Sequence, residues 1–353
     1  MAGGSGSRFW PISRIDRPKQ FLDFTAEGQS FLRFTFDRMK AVIPEENILV
    51  VSLPRYRELI RQQLPELKDE NLLLEPYSRN TAPCLTYATY TILKRDPDAV
   101  TAVTPSDLII NRHDIFNETL SNALAYAAGS DALITLGVVP TRPDPNFGYI
   151  QMAGAAEDGR PVKVKTFTEK PDTQLARVFM ETGEFLWNSG IFVWRASAIR
   201  QALEKYAPEI TNLWAGWQEA LGSEYEIEFL ERIYTDMPRT SIDYAVMEKT
   251  DNAWVYPAKF RWADIGNWES LYDYLAHHDA NGNAMNLVNK GLIKERMDNI
   301  VYSDNHGKLL AIRGLENFIV IDTKDVLMIC PRDEEKLQDF LSSLAMPEFE
   351  EYR

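Results

Sequence analysis

Cysteine and histidine are scarce in this chain. Only two cysteines, Cys84 and Cys330, occur among 353 residues, and they lie far apart in the sequence. This count argues against a disulfide framework or a cysteine-rich zinc site, and it makes a reducing cytoplasm the simplest compartment. The four histidines include no His-x-x-x-His pair, which leaves little for a zinc hydrolase.

Basic residues are also in the minority. Lys and Arg number 38 against 52 Asp and Glu, so the formal net charge is −14. A chain with this charge should repel nucleic acids and anionic membranes. No segment approaches the roughly 18 uninterrupted apolar residues of a membrane helix, and no signal peptide is visible. The length exceeds the roughly 250–300 residues at which one core stops growing, which predicts a large domain and a smaller one.

A glycine-rich run near the start stands out against this acidic background. Gly3-Gly4-Ser5-Gly6-Ser7 carries no bulky side chain, and basic residues follow it against a single acid, Asp16: Arg8, Arg14, Arg17 and Lys19. Glycines let backbone N–H groups approach an anion, which the basic side chains can then neutralise. The run is neither a Walker loop nor a nucleophile elbow. We expect it to hold nucleotide phosphates; the alternatives are a flexible linker and scattered surface charges.

Short apolar runs alternate with amphipathic stretches from residue 30 to about residue 257. Buried strands are predicted at 48–51, 71–74, 98–103 and 133–138, and helices at 81–93 and 113–128. This succession predicts an α/β domain whose mostly parallel sheet is covered on both faces. In such sheets, ligands bind at the carboxyl ends of the strands.

The pattern changes after Trp268. A helix is predicted to continue over 271–277 and a loop to follow at 279–283, before short β-type runs at 299–302, 309–312, 317–321 and 325–329. Turn residues separate these runs, as in a small all-β module. Its closing helix has an apolar face of Leu337, Phe340, Leu341 and Leu344. We therefore expect domains at 1–270 and 289–353, connected by a helix and loop at 271–288.

Two acidic residues are candidates for binding a metal ion. Asp107 follows the predicted strand at 98–103, where an acid faces the ligand crevice and suits Mg²⁺. From spacing alone, an N-cap of the next helix is the more favoured explanation. Asp264 lies between two tryptophans in the segment 262–268. A second metal ligand and a surface turn under aromatic rings explain Asp264 equally well.

Polar residues near other strand ends could bind a hydroxylated, phosphorylated ligand. Glu169 could accept hydrogen bonds from sugar hydroxyls while Lys170 meets a phosphate, although an exposed ion pair explains this motif more often. Asn188 offers both a donor and an acceptor, and Gly148 offers its backbone beside aromatic residues.

A loop at 75–81 is a candidate for binding a nucleobase. It follows one predicted strand and precedes a helix, and Glu75 could accept the paired N–H groups of guanine. A helix-capping loop is an equally good explanation of this segment.

Taken together and in order, these motifs resemble the sugar nucleotidyltransferases. The matching segments are Ala-Gly-Gly-Ser-Gly-Ser-Arg-Phe-Trp-Pro-Ile-Ser-Arg at 2–14 with Pro-Lys-Gln-Phe at 18–21, Arg-Asn-Thr-Ala-Pro at 79–83, Pro-Ser-Asp at 105–107, Phe-Thr-Glu-Lys-Pro at 167–171, Trp-Asn-Ser-Gly-Ile-Phe at 187–192, Ser-Ile-Asp-Tyr-Ala-Val-Met-Glu at 241–248 and Trp-Ala-Asp-Ile-Gly-Asn-Trp at 262–268. The glycine run marks the wider superfamily. The Trp-Pro-x-Ser-Arg, Pro-Lys-Gln-Phe and Ser-Ile-Asp-Tyr elements are more specific to the guanylyl branch, the bacterial mannose-1-phosphate guanylyltransferases.

The resemblance implies a fold and a reaction. The fold is a Rossmann-like catalytic domain with a small C-terminal left-handed parallel β-helix, which often forms a homodimer. The reaction joins GTP and mannose 1-phosphate, with Mg²⁺, to give GDP-mannose and pyrophosphate. Alternatives are another sugar 1-phosphate, such as a heptose, and a catalytically silent regulator that binds GDP-mannose.

The resemblance also suggests roles for individual residues. The nucleotide would lie against Ala2, Gly3, Gly4, Ser5, Gly6, Ser7 and Arg8, with Lys19 assisting at the phosphates and Glu75, Asn80 and Thr81 near guanine. Asp107 and Asp264 would hold Mg²⁺. The sugar phosphate would meet Gly148, Glu169, Lys170 and Asn188. Asp243 matches a family segment, but it receives no role.

One departure from the family concerns the start of the chain. The family places a central buried strand before the glycine run, whereas only Met1 precedes Ala2 here. Losing a central strand leaves neighbouring backbone groups unpaired, so we expect further residues upstream of Met1. Many relatives carry an additional mannose-6-phosphate isomerase domain. Because this chain ends at Arg353, we expect it to be monofunctional.

Overall fold

The computed structural model describes residues 1–4, 6–24, 28–155, 159–260, 262–274, 284–287, 291–294, 298–304, 308–344 and 346–352. Helices and strands alternate through the first three quarters of the chain. The strands are β1 Val50–Ser52, β2 Leu72–Leu74, β3 Val100–Val103, β4 Leu108–Ile110, β5 Leu133–Val138, β6 Tyr149–Met152, β7 Val162–Thr168, β8 Phe185–Arg195, β9 Ala253–Ala258 and β10 Trp262–Asp264. The helices are α1 Phe31–Lys40, α2 Arg57–Gln63, α3 Thr81–Arg95, α4 His113–Ala128, α5 Thr173–Thr182, α6 Ala196–Tyr206, α7 Pro208–Thr211, α8 Trp217–Ala220, α9 Glu226–Thr235 and α10 Trp268–Tyr274.

The main sheet has six strands in the order β3-β8-β5-β9-β7-β6. The sheet is mixed, and the prediction that it is mostly parallel is wrong for neighbouring strands. Only β5 and β9 pair in parallel; β8 is antiparallel to β3, β5 and β6, and β7 is antiparallel to β6 and β9. The long β8 inserts between β3 and β5, which themselves point the same way. This insertion replaces a parallel contact with two antiparallel ones.

Both faces of this sheet are covered by helices. In α4, Phe116, Leu120, Ala123 and Ala127 are buried at helical spacing and face one side of the sheet. Helices α3 and α6 pack on the opposite side in a separate core cluster. All six residues of β5 are buried, and its apolar run therefore suits the centre of a doubly covered sheet.

The start of the chain crosses between β1 and the end of β3. The Ala2 N–H donates to the Val51 carbonyl at 2.8 Å, and the Met1 ammonium donates to the Thr104 carbonyl at 3.0 Å. The Ser106 N–H donates to the Met1 carbonyl at 3.0 Å. These bonds place the glycine run at the carboxyl ends of β1 and β3, where ligands bind in sheets of this kind.

The last part of the chain is a small β module. Its elements are β11 Ala284–Leu287, β12 Gly291–Lys294, β13 Ile300–Ser303, β14 Leu310–Arg313, β15 Phe318–Asp322, β16 Leu327–Pro331 and α11 Glu334–Ser343. Strands β11, β13 and β15 stack in parallel, as do β12 and β14, while β16 closes the sheet antiparallel to β15. The predicted β runs and closing helix are thus present. The predicted loop at 279–283 and the helix end at 275–277 lie outside the described residues.

An aromatic cluster joins the glycine run to this module. Phe9 is fully buried, with its ring centroid 4.7 Å from that of Phe24 and 5.2 Å from that of Trp268. The same cluster contains Ile300 and Ile319 from the module.

Within the described residues, no helix has the length and apolar character needed to cross a bilayer.

The Phe9→Ala substitution tests this cluster. It should lower the free energy of unfolding by about 3–5 kcal/mol, because a large buried ring is lost and its neighbours cannot fill the space. Urea denaturation followed by tryptophan fluorescence measures the change. Tyr225→Ala, at a side chain that is 62% exposed, is the control and should cost less than about 0.5 kcal/mol. Equal losses in the two variants would contradict the proposed packing role.

Candidate active site

A cavity of about 450 Å³ lies at the end of the sheet where the glycine run crosses it. Residues from all four predicted groups line it, namely the phosphate, metal, sugar and base groups: Gly6, Ser7, Arg8, Lys19, Thr81, Asp107, Gly148, Glu169, Lys170 and Asn188. Ala2, Gly3, Gly4, Glu75 and Asn80 are not part of its wall, and Ser5 lies outside the described residues. The fold therefore brings most of the sequence candidates to one place.

The glycine run is held in a defined conformation. The Gln20 side-chain amide donates to the carbonyls of Ala2 and Gly4, both at 3.0 Å, and the Ser52 hydroxyl donates to the Ala2 carbonyl at 2.8 Å. Gly6 has φ of +63°, and a Cβ there would overlap Ser13 and come within 2.8 Å of the Lys19 backbone nitrogen. A flexible linker makes no such contacts, so the structure favours the interpretation of the run as a binding loop.

The predicted basic island divides into two parts. Arg8 is exposed at the edge of the cavity, and Lys19 lines it. Arg14 instead pairs with Asp325 of the β module, with Nη2 and Oδ1 2.7 Å apart, and its guanidinium lowers the pKa of that carboxyl. The basic island as a whole therefore does not line the cavity, since neither Arg14 nor Arg17 is part of its wall. Arg14 faces the C-terminal module instead.

Asp107 and Asp264 come together through a short antiparallel strand pair. Strand β10 pairs with β4 so that residue 264 lies opposite Leu108. Leu108 directly follows Asp107 in the chain. The Asp107 carboxylate is 23% exposed and lies 2.7 Å from the Lys19 ammonium. It precedes a strand, and the next helix begins at His113 after Arg112, so the helix N-cap explanation is wrong. The structure describes the backbone of Asp264 but not its side chain.

The predicted sugar-binding residues line the same cavity. The Asn188 N–H donates to the Gly148 carbonyl at 2.8 Å, and a Cβ at position 148 would overlap the Glu169 carboxylate. The ammonium of Lys170 lies 3.3 Å from Glu169 but is 60% exposed, and so it can reach a ligand. Burial, reinforced by the negative charge of Asp243, raises the pKa of Glu169 to about 7.

The predicted base-binding residues lie near the first turn of α3. The Asn80 side chain accepts from the Thr81 N–H at 2.8 Å and caps the helix, while Thr81 lines the cavity. Glu75 is only 4% exposed and lies beneath the glycine run, where the Tyr234 hydroxyl donates to its carboxylate at 3.0 Å. Burial raises the pKa of Glu75 to about 7. Its contact with guanine stays a prediction.

Among the lining residues without a predicted role are two aromatic residues and an acid. Phe147 and Trp262 line the cavity, with ring centroids 4.9 Å apart. Asp243 lies on the wall in a π-helical turn, Asp243–Met247, and burial raises its pKa to about 6. The only sequence signal for Asp243 was the Ser-Ile-Asp-Tyr segment.

Comparison with known proteins agrees with this geometry. The nucleotidyl transferase family matches residues 1–281, and the MannoseP isomerase/GMP-like beta-helix domain matches residues 295–337. A mannose-1-phosphate guanylyltransferase of Escherichia coli is 34% identical, covering 100% of this chain and 75% of that protein. The alginate biosynthesis protein AlgA of Pseudomonas aeruginosa is 35% identical, covering 96% and 69%. The mannose-1-phosphate geranyltransferase from Thermus thermophilus superposes with a TM-score of 0.86 at 28% identity, over 98% of both chains.

The fold and the cavity, with these relatives, define a nucleotidyltransferase, and the chain belongs to the nucleotidyl transferase family. Within that family it groups with the mannose-1-phosphate guanylyltransferases. The resemblance drawn from the motifs is thus confirmed, and so are a Rossmann-like domain and a C-terminal β-helix-like domain.

The buried Glu75 carboxyl gives a testable pH dependence. Its pKa in the folded state lies above the ordinary value of 4.5, so the folded protein binds a proton that the unfolded chain releases. Stability should therefore fall as pH rises from about 4.5 to about 7, by at most about 1.4 kcal/mol per pH unit. Glu75→Gln keeps an acceptor for Tyr234 but removes the charge. It should flatten this dependence and raise stability above pH 7.

Chemical denaturation at several pH values measures this effect. Glu118→Gln, at an exposed position of α4, is the matched control and should leave the pH profile unchanged. A Glu75→Gln variant that is less stable than the native chain above pH 7 would show that the charged carboxylate stabilises the fold.

Proposed function

We propose that this protein transfers GMP from GTP to mannose 1-phosphate and releases pyrophosphate. The single observation that carries the proposal is one cavity lined by two groups of residues. The glycine loop, Arg8 and Lys19 form a group suited to a triphosphate, and Lys170 lines the same cavity beside carboxylate and amide groups. The guanylyltransferase relatives support GTP as donor and mannose 1-phosphate as acceptor.

The chemistry needs positioning more than proton transfer. A phosphate monoester has a second pKa near ~6, so it is largely dianionic at neutral pH and attacks without a general base. Its oxygen forms a bond to the α-phosphorus of GTP as the bond to the pyrophosphate oxygen breaks on the opposite side. Histidine is absent from the described cavity wall, which accords with this route. Catalysis then depends on alignment and on neutralising charge.

Each group has a part in this reaction. The loop backbone around Gly6 and the side chains of Arg8 and Lys19 hold the triphosphate and the departing pyrophosphate. Lys170 meets the phosphate of the sugar as a point charge, and Glu169 with Asn188 meets the hexose hydroxyls. Thr81 and Asn80 lie where the base would rest, at the start of α3.

The residues present fit a magnesium ion at Asp107. Mg²⁺ takes one or two carboxylates together with substrate phosphates and waters, and Asp107 opens onto the wall that holds the phosphates. Asp264 is proposed as the second ligand because its backbone pairs opposite Leu108. The ion would neutralise phosphate charge as it develops.

Further features of the enzyme are also proposed. We propose domains at 1–270 and 289–353 with a connection at 271–288, and a left-handed coil for the β-helix-like module. A homodimer and a cytoplasmic location are also proposed. The parallel stacking of β11, β13 and β15 supports a coiled module but leaves its hand as a prediction.

A pyrophosphate-release assay tests the proposed function. GTP, ATP, UTP and dTTP are each combined with mannose 1-phosphate and with other sugar 1-phosphates, including a heptose. Release is expected with GTP and mannose 1-phosphate. Preferred turnover of another sugar would replace mannose. Tight binding of GDP-mannose without release from any pair would indicate a silent regulator.

Arg8 and Lys170 are exposed, and their removal should leave the fold intact. Arg8→Ala and Lys170→Ala should each lower the rate by about 10²–10³, because each removes one group that stabilises phosphate charge in the transition state. Arg177→Ala, an exposed arginine on α5 away from the cavity, is the control. Near-native turnover in both cavity variants would reject their assigned roles.

Gly148 gives a steric test of the sugar-binding wall. An alanine Cβ there would displace Glu169 and lie 3.3 Å from the Asn188 Cβ, so Gly148→Ala should raise KM for mannose 1-phosphate roughly tenfold or more. Gly154→Ala is the matched control, since its Cβ would meet nothing within 4 Å. A KM that rises equally for GTP would show a general disturbance instead of a local one.

A further inference from the structure

The side-chain amide oxygen of Asn188 accepts two hydrogen bonds from the protein. Its Oδ1 accepts from the Thr135 hydroxyl at 2.8 Å and from the Gly190 N–H at 3.2 Å. The Thr135 hydroxyl has one hydrogen and also lies 3.2 Å from the Ile191 carbonyl, but its shorter contact is the one with Asn188, so the two lone pairs of the amide oxygen face protein donors. The oxygen of Asn188 therefore faces the protein, and its amide nitrogen is the side left to meet a ligand.

The nitrogen side of the same amide is held by Asp243. The Asn188 Nδ2 donates to Asp243 Oδ1 at 2.9 Å. The opposite orientation of the amide would set its NH₂ group against the Gly190 N–H and its oxygen against the Asp243 carboxylate. Both contacts would be repulsive, and so the amide has one orientation. Among the described residues, the second N–H of Nδ2 has no protein partner, and Asn188 lines the cavity.

Asp243 is itself held in place by the nucleotide side of the cavity. The N–H of Ile242 donates to the Thr81 hydroxyl at 2.9 Å, and the N–H of Ala82 donates to the Thr240 carbonyl at 3.1 Å. These bonds tie the turn that carries Asp243 to the start of α3. The carboxylate then reaches Asn188, linking the start of α3 to the sugar-binding residues.

We propose that Asp243 is a positioning residue for sugar recognition: it holds the Asn188 amide so that one N–H donor faces the ligand beside the Glu169 carboxylate. The Asn188 Nδ2 lies 3.6 Å from the point that a Gly148 Cβ would occupy, and Glu169 Oε2 is closer still to that point. A donor and an acceptor that flank the same point suit a sugar hydroxyl, which accepts from the amide and donates to the carboxylate.

This inference rests on the proposed function, and a double-mutant cycle tests it. Asp243→Ala should raise KM for mannose 1-phosphate roughly 10- to 100-fold, since a hydrogen bond to a charged group is lost, while KM for GTP stays within about twofold. Asp243→Asn, whose amide oxygen can accept from Asn188, should recover most of the affinity. Because Asp243 acts through Asn188, the double alanine variant should bind no more weakly than Asn188→Ala alone.

Tyr244→Ala is the matched control, on the next residue of the same turn, where the side chain is 48% exposed. It should change neither KM. Additive losses in the cycle, equal rises in both KM values, or an unchanged KM for mannose 1-phosphate in Asp243→Ala would overturn the inference.

The same cycle separates this inference from the proposed function. If the native enzyme prefers another sugar 1-phosphate, the cycle is run with that substrate. If no pair releases pyrophosphate, the proposed function fails, and calorimetric binding of GDP-mannose to the same four proteins still decides whether Asp243 acts through Asn188.

Discussion

The candidate site depends on the contacts that the Lys19 ammonium group makes. This group lies 2.7 Å from the Asp107 carboxylate and donates to the Ile265 carbonyl at 3.0 Å. It thereby joins the glycine-loop segment to the strand pair that carries both predicted metal ligands. Because the Lys19 side chain is only 13% exposed, removal of either partner would leave a poorly hydrated charge. Lys19 and Asp107 thus neutralise each other in the structure.

The β module contacts and stabilises this loop. The Trp10 indole N–H donates to the Tyr352 carbonyl at 2.6 Å, and Arg14 pairs with Asp325. Phe9 and Trp268 fill the space between loop and module. A loop that binds phosphates through its backbone must be ordered before the ligand arrives, since ordering it later would cost binding energy. These contacts hold the loop against the module through hydrogen bonds, an ion pair and packing.

Local elements were largely predictable, and long-range pairings were not. Helix α4 at His113–Ala128 and strand β5 at Leu133–Val138 occur where their periodicity predicts them, because helical spacing and a continuous apolar run are local signals. No local sequence signal indicates that β8 inserts antiparallel between β3 and β5. The prediction of a mostly parallel sheet was wrong for that reason. Arg14 was grouped with Lys19 by proximity in sequence, although its partner lies 311 residues away.

By itself, the sequence determined the chemistry available and the family. The glycine run, Arg8, Lys170 and the two aspartates stand in ordered motifs, and residue identity alone sets charge and hydrogen-bonding capacity. The tertiary structure decided which of these groups meet. The register of β4 with β10 sets residue 264 opposite Leu108, and the bonds around Asn188 give Asp243 a partner. Such choices depend on strand register and burial, which couple residues distant in the chain and leave no trace in any short segment.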